Sequence, residues 1–80
     1  MPYAAKDRQP ILDVLNLTGH SLTAHNIFQR LPAAKQPRYE RHLYGRLEVM
    51  VREKILVWSV GEHGEKLYWV APRYVQKKEA

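Results

Sequence analysis

The chain has 80 residues, which is room for one small domain and not for two. Its 45% apolar and 26% charged residues are ordinary globular proportions, so overall disorder is excluded, and with no cysteine so are disulfide frameworks and thiolate metal sites. Thirteen basic residues against eight acidic ones leave a formal charge of +5, which favours anionic partners, nucleic acid above all.

The spacing predicts a first helix from Asp7, a good N-cap, with Pro10 inside the first turn. Ile11, Val14, Leu15 and Thr18 fall on one helical face, and Gly19 supplies a left-handed stop. His20–Leu22 reads as a short extended link. Thr23 caps a second helix, Ala24–Leu31, whose apolar stripe is Ile27, Phe28 and Leu31; Pro32 halts it. After a turn over 32–36, Pro37 opens a third helix expected to run to Glu53. On its helical wheel Leu43, Leu47, Met50 and Val51 share one face, while Arg38, Arg41, His42, Gly45 and Arg46 gather on the other. Between positions 35 and 46 stand four basic residues and one acid, Glu40.

Two β-rich runs follow, Ile55–Val60 and Lys66–Ala71, around Gly61–Glu65; glycine at 61 and 64 signals a hairpin. A loop of two or four residues makes the numbers of paired residues sum to an odd value. In that register Leu56, Trp58 and Val60 share a face with Leu67, Trp69 and Ala71. With Ile55 turned toward the helices, Leu56, Trp58 and Trp69 would form an outward patch suited to a protein partner or a second copy of the chain.

The order helix, link, helix, turn, helix, strand, loop, strand resembles the winged helix-turn-helix superfamily. Residues 23–31 look like the first helix of that motif and residues 38–47 like its recognition helix. Leu47, Met50 and Ile55 match the family's apolar spacing into the wing strand, and Gly61–Glu65 stands where the wing would be. Lys54 occupies a position at which many such domains carry glycine. The resemblance implies an α+β fold, three helices plus a β-hairpin wing, over residues 7–72. A flexible segment 1–6 would precede it and a mobile basic tail 73–80 follow it.

The same resemblance implies double-stranded DNA as the partner and regulation of transcription as the role. Arg38, Tyr39, Arg41, His42, Gly45 and Arg46 would face the major groove, where arginine can bond guanine in bidentate fashion and a glycine permits close approach. Thr23 and Lys35 are candidate phosphate contacts, and His63 and Lys66 are the wing's contributors, since Glu62 and Glu65 repel phosphate. The alternative is a protein-binding winged helix, an adaptor or inhibitor of a larger enzyme, using the tryptophan hairpin; homodimerisation through that face is compatible with either. No cofactor, metal or catalytic function is expected. His20 and His25 lack a third nearby ligand, Ser21 and Ser59 lack a triad, and Gly61–Gly64 lacks the spacing of a phosphate loop. Ile55–Trp58 is too short to cross a bilayer and the first ten residues carry no apolar signal core, so a cytoplasmic protein without membrane contact is expected, whether nucleoid-associated or virus-encoded.

Overall fold

A computed structural model describes residues 8–72 and 74. The described residues form three α-helices and a three-stranded antiparallel sheet. The elements run α1 (Arg8–Thr18), β1 (Leu22–Thr23), α2 (Ala24–Arg30), α3 (Glu40–Arg52), β2 (Leu56–Val60) and β3 (Lys66–Val70). The fold class is thus α+β. The expected Asp7 cap, the leading segment 1–6 and, apart from Tyr74, the tail 73–80 lie outside the described residues. Tyr74 packs half-buried against the core and donates its N–H to Ala71. No helix of the described residues is long and apolar enough to cross a membrane.

In α1 the apolar spacing buries Ile11, Leu12, Val14 and Leu15. Pro10 sits in the first turn, where its missing N–H costs no helical bond. Gly19 ends the helix at φ +76°, donating its N–H to the Leu15 carbonyl at 2.9 Å. The link that follows is more than extended chain. Leu22 and Thr23 pair with Tyr68 and Leu67 of β3, adding a third strand to the hairpin. Thr23 also caps α2, its Oγ1 accepting from the Asn26 N–H at 3.1 Å. At the other end of α2, Gln36 Nε2 donates to the Phe28 carbonyl at 2.7 Å, satisfying one of the helix's open acceptors. Residues Ala33–Lys35 form a single 3-10 turn.

The third helix begins three residues later than its sequence predicts. Pro37 is buried and precedes the helix rather than opening it, and Tyr39, at φ −128° and ψ 144°, is the N-cap. Helical geometry therefore starts at Glu40, whose carboxylate suits the positive end of the helix dipole. Arg38 and Tyr39 belong to the approach, not to the helix. The buried face is the expected one, with Leu43, Leu47 and Met50 fully enclosed and Val51 packed at its margin. At the C-terminus Lys54 adopts φ +65°, with its N–H on Val51 and that of Ile55 on Met50, at 3.0 and 2.9 Å. This pair of bonds is the Schellman cap, a motif that glycine ordinarily serves.

The hairpin register departs from expectation. Val60 pairs with Lys66, Trp58 with Tyr68 and Leu56 with Val70, so paired numbers sum to an even value. The cause is the loop length. Gly61 donates to the Glu65 carbonyl at 2.7 Å, leaving a three-residue loop of Glu62, His63 and Gly64. Gly64 closes that turn on the Gly61 carbonyl and takes φ +80°, the left-handed residue that a three-residue hairpin loop needs. A one-residue change in register flips every side chain of a strand. Trp58 and Trp69 therefore project from opposite faces, and the common patch of Leu56, Trp58 and Trp69 does not form. Leu56 is buried in the core, Trp69 is half-buried against it, and Trp58 is 49% exposed.

The strand order β1-β3-β2 places β3 in the centre. Tyr68 of β3 and Leu22 of β1 lie on the face that closes the core with Leu56, Ile11, Leu15, Ile27 and the α3 stripe. Burial of this apolar set is what holds so small a domain together, at roughly 1.5–3 kcal/mol per fully enclosed large side chain.

Candidate nucleic-acid interface

The start of α3 gathers positive charge around one aromatic ring. Tyr39 is 46% exposed. The Arg41 guanidinium lies 4.8 Å from its ring centroid and that of Arg38 lies 5.7 Å away, while the His42 ring meets it edge-on at 5.4 Å. An electron-rich ring face attracts a guanidinium without neutralising it. Arg38 and Arg41 are thus oriented yet keep their charge, and neither makes an ion pair with a described residue. An arginine arranged this way has its donor fork available to a planar acceptor pair or a phosphate.

The acid within this stretch is turned to other duties. Glu40 accepts from His25 Nδ1 of α2 and from the Tyr44 hydroxyl one helical turn on, both at 2.8 Å. The His25 bond first and the Tyr44 bond second hold its carboxyl below the usual range; the same bond to Glu40 raises the Tyr44 phenol. This pins the α2 start to the α3 start and keeps Glu40 ionised, its carboxylate directed to His25 and Tyr44. His25 and Tyr44 were not singled out for this role by sequence reasoning. The Glu40–Tyr44 pair has the i, i+4 spacing that could have flagged it, whereas His25 meets Glu40 only through tertiary packing.

Along α3, Arg41, His42 and Gly45 are exposed and Arg46 is half-buried. A Cβ added at Gly45 would meet nothing within 4 Å, so the backbone there forms an open, shallow strip on the helix surface.

The other predicted contacts divide. Thr23 is half-buried, its hydroxyl serving the α2 cap, and borders a concavity with His25, Tyr44, Glu48, Glu65, Lys66 and Tyr68. Lys35 is exposed but lies on a different side, in a cleft with Arg30, Asp13 and Leu17 of α1. His63 is exposed at the hairpin tip, its N–H held by Glu65 Oε1 at 2.8 Å. Lys66 is already engaged: its ammonium is 2.6 Å from Glu48 Oε2 and sits 4.5 Å from the Trp58 ring centroid. Glu48 also accepts from the Tyr68 hydroxyl at 2.9 Å. Lys66 and then Tyr68 depress the Glu48 carboxyl, while burial, and after it Glu48, raises the Tyr68 phenol. This second cluster ties the middle of α3 to the hairpin. Lys66 is a strut of the fold rather than a free cation.

The two histidines nearest each other in sequence are engaged apart. His20 Nδ1 lies 2.9 Å from the Ser21 carbonyl, and His25 bonds Glu40. No protein-family model matches the chain, and no curated protein matches it.

Proposed function

We propose that this chain is a winged helix-turn-helix domain that binds duplex DNA through the start of α3. The element order supports the fold reading: α2, a turn and α3 stand as the helix-turn-helix, and β2 and β3 follow as the wing. The observation that carries the DNA reading is the Tyr39 cluster. Two arginines and a histidine surround an exposed ring at the N-terminal end of α3, and the neighbouring acid is bonded to His25 and Tyr44.

The mechanism follows from the geometry. The first turns of α3 enter the major groove with Arg41, His42 and Gly45 toward the bases. Arg38 and Tyr39, on the approach to the helix, meet the flanking sugar-phosphate wall. Phosphate neutralisation supplies sequence-independent affinity, and bidentate arginine contacts supply discrimination of about 1–3 kcal/mol per base. The wing, with Glu62 and Glu65 at its tip and Lys66 engaged, contributes little. The shared tryptophan face on which the adaptor reading drew does not form.

The double variant Arg38→Ala/Arg41→Ala tests this reading, with Lys35→Ala as its control. All three side chains are exposed, so the variants are expected to fold, which thermal unfolding checks. If both arginines neutralise phosphates, the slope of log K against log salt becomes shallower by about 2, and Lys35→Ala changes it far less. Equal effects from the two variants would mean that diffuse charge, not the α3 surface, drives binding.

A further inference from the structure

We propose that the edge of β2 that no described strand pairs joins the β2 of a second copy of this chain, merging two sheets into one around a two-fold axis at Trp58. This inference is independent of the DNA reading. Among the described residues the sheet has two edges. One is β1, only two residues long. The other is β2, five residues of Leu-Val-Trp-Ser-Val with no charge, proline or bulge to blunt it. An exposed apolar edge of that kind is a template for another strand unless something covers it.

The backbone specifies which groups are free. Gly61 bonds Glu65, and Ala71 bonds the Ile55 carbonyl, so the odd-numbered residues of β2 direct their polar backbone groups toward β3. Leu56, Trp58 and Val60 direct theirs outward. An antiparallel pairing centred on Trp58 sets Trp58 against Trp58 of the second copy and Leu56 against Val60, which satisfies all three outward residues of both strands at once.

Two observations choose the second copy as the occupant in this register. The first is charge. Lys54 and Glu62 lie just beyond the two ends of the strand, four residues to either side of Trp58, so the pairing brings opposite charges of the two copies to the same end of the interface. The second is shape. Val60 is 64% exposed, and a largely apolar groove of about 550 Å³ lies beside the edge, bordered by Val51, Leu56, Trp58, Ala71 and Pro72, with Lys54 at its margin. The register that pairs Leu56 with Val60 delivers the protruding valine of one copy to the groove of the other. An isologous contact of this kind closes as a dimer rather than growing into a fibre.

Sedimentation equilibrium of the full chain, repeated with variants, tests the proposal. Wild type is expected to dimerise. Val60→Glu, exposed and opposite Lys66 in the monomer, is expected to keep wild-type thermal unfolding at low concentration and to raise the dimer dissociation constant at least tenfold. Lys54→Glu is expected to weaken the dimer severalfold and Lys54→Glu/Glu62→Lys to restore it, since the swap returns opposite charges to each end of the interface. The chain contains no cysteine, so Trp58→Cys provides a clean cross-link: the two-fold axis puts its Cα atoms about 5.5 Å apart, within disulfide reach. A wild-type monomer at the highest soluble concentration overturns the proposal. So does a dimer unmoved by Val60→Glu, or one in which the charge swap fails to restore what Lys54→Glu removes.

Discussion

Replacing Gly45 with alanine should make the protein more stable and a poorer DNA binder. Glycine within a helix costs about 0.8–1.0 kcal/mol relative to alanine, because its backbone loses more freedom on folding. Gly45 lies in the first half of α3 and has ordinary helical geometry. The added methyl meets nothing within 4 Å, so no packing term offsets the gain. The net stabilisation is about 1 kcal/mol, which in a domain of this size raises the midpoint of thermal unfolding by about 4–8 °C. DNA binding should move the other way. A methyl on the strip between Arg41 and Arg46 holds the helix off the groove wall. Losing one well-placed bidentate contact costs about 1–3 kcal/mol, or roughly 5- to 150-fold in affinity. Thermal unfolding followed by circular dichroism and a DNA titration at fixed salt give both numbers from one preparation. A destabilised variant would refute the outward placement of residue 45. A stabilised variant that binds DNA as wild type does would refute the close approach of α3 to the groove.

The remaining predictions concern caps and titrating groups. Lys54→Gly should stabilise the fold by up to about 1 kcal/mol, because glycine takes the left-handed Schellman position without a Cβ penalty; Lys54→Val should cost at least that much, both read by denaturant midpoint. Thr23→Ala should cost about 1 kcal/mol by loss of the α2 cap, with Thr23→Ser near neutral. The folded-state pKa values of Glu40 and Glu48 are depressed, so their contribution is present above the ordinary carboxylate value of 4.5 and lost as pH falls through the folded values. Acid unfolding should accordingly begin below that value and shift to higher pH on the removal of His25 or Lys66 as bonding partners. Tyr68 has the opposite sign: its phenol is raised above 10.0, so its contribution is complete below that pH and lost as pH rises further. Absorbance titration should show one tyrosine ionising only together with alkaline unfolding, and Glu48→Gln should bring that ionisation to lower pH.

Local chemistry made much of the fold legible. Gly19, Thr23 and Pro32 are punctuation whose meaning depends on the adjacent backbone, and each marks the boundary it implied. The apolar period of α3 identified Leu43, Leu47 and Met50 because one helix face must face the core of so small a domain. What escaped was set by contacts remote in sequence. Leu22 and Thr23 are too few to show a strand period and become one only by pairing with β3. Pro37 is a good first helical residue in isolation, yet it is buried and the helix starts beyond it. The hairpin register turned on whether three residues or an even number closed the loop, and that count decided the fate of both tryptophans. In the candidate interface the arginines and His42 were visible as a wheel face. The Tyr39 ring that orders them and the His25 contact that occupies Glu40 were not, because both depend on the late start of α3 and on where α2 docks.

The central claim is that the exposed start of α3 is a DNA surface, and binding of the wild-type chain to duplex DNA across a salt series tests it most directly. The account predicts binding at low salt whose log K falls linearly with log salt, with a slope of about −2 or steeper from the Arg38 and Arg41 contacts. Absence of binding at low salt, or affinity that salt does not change, would contradict it.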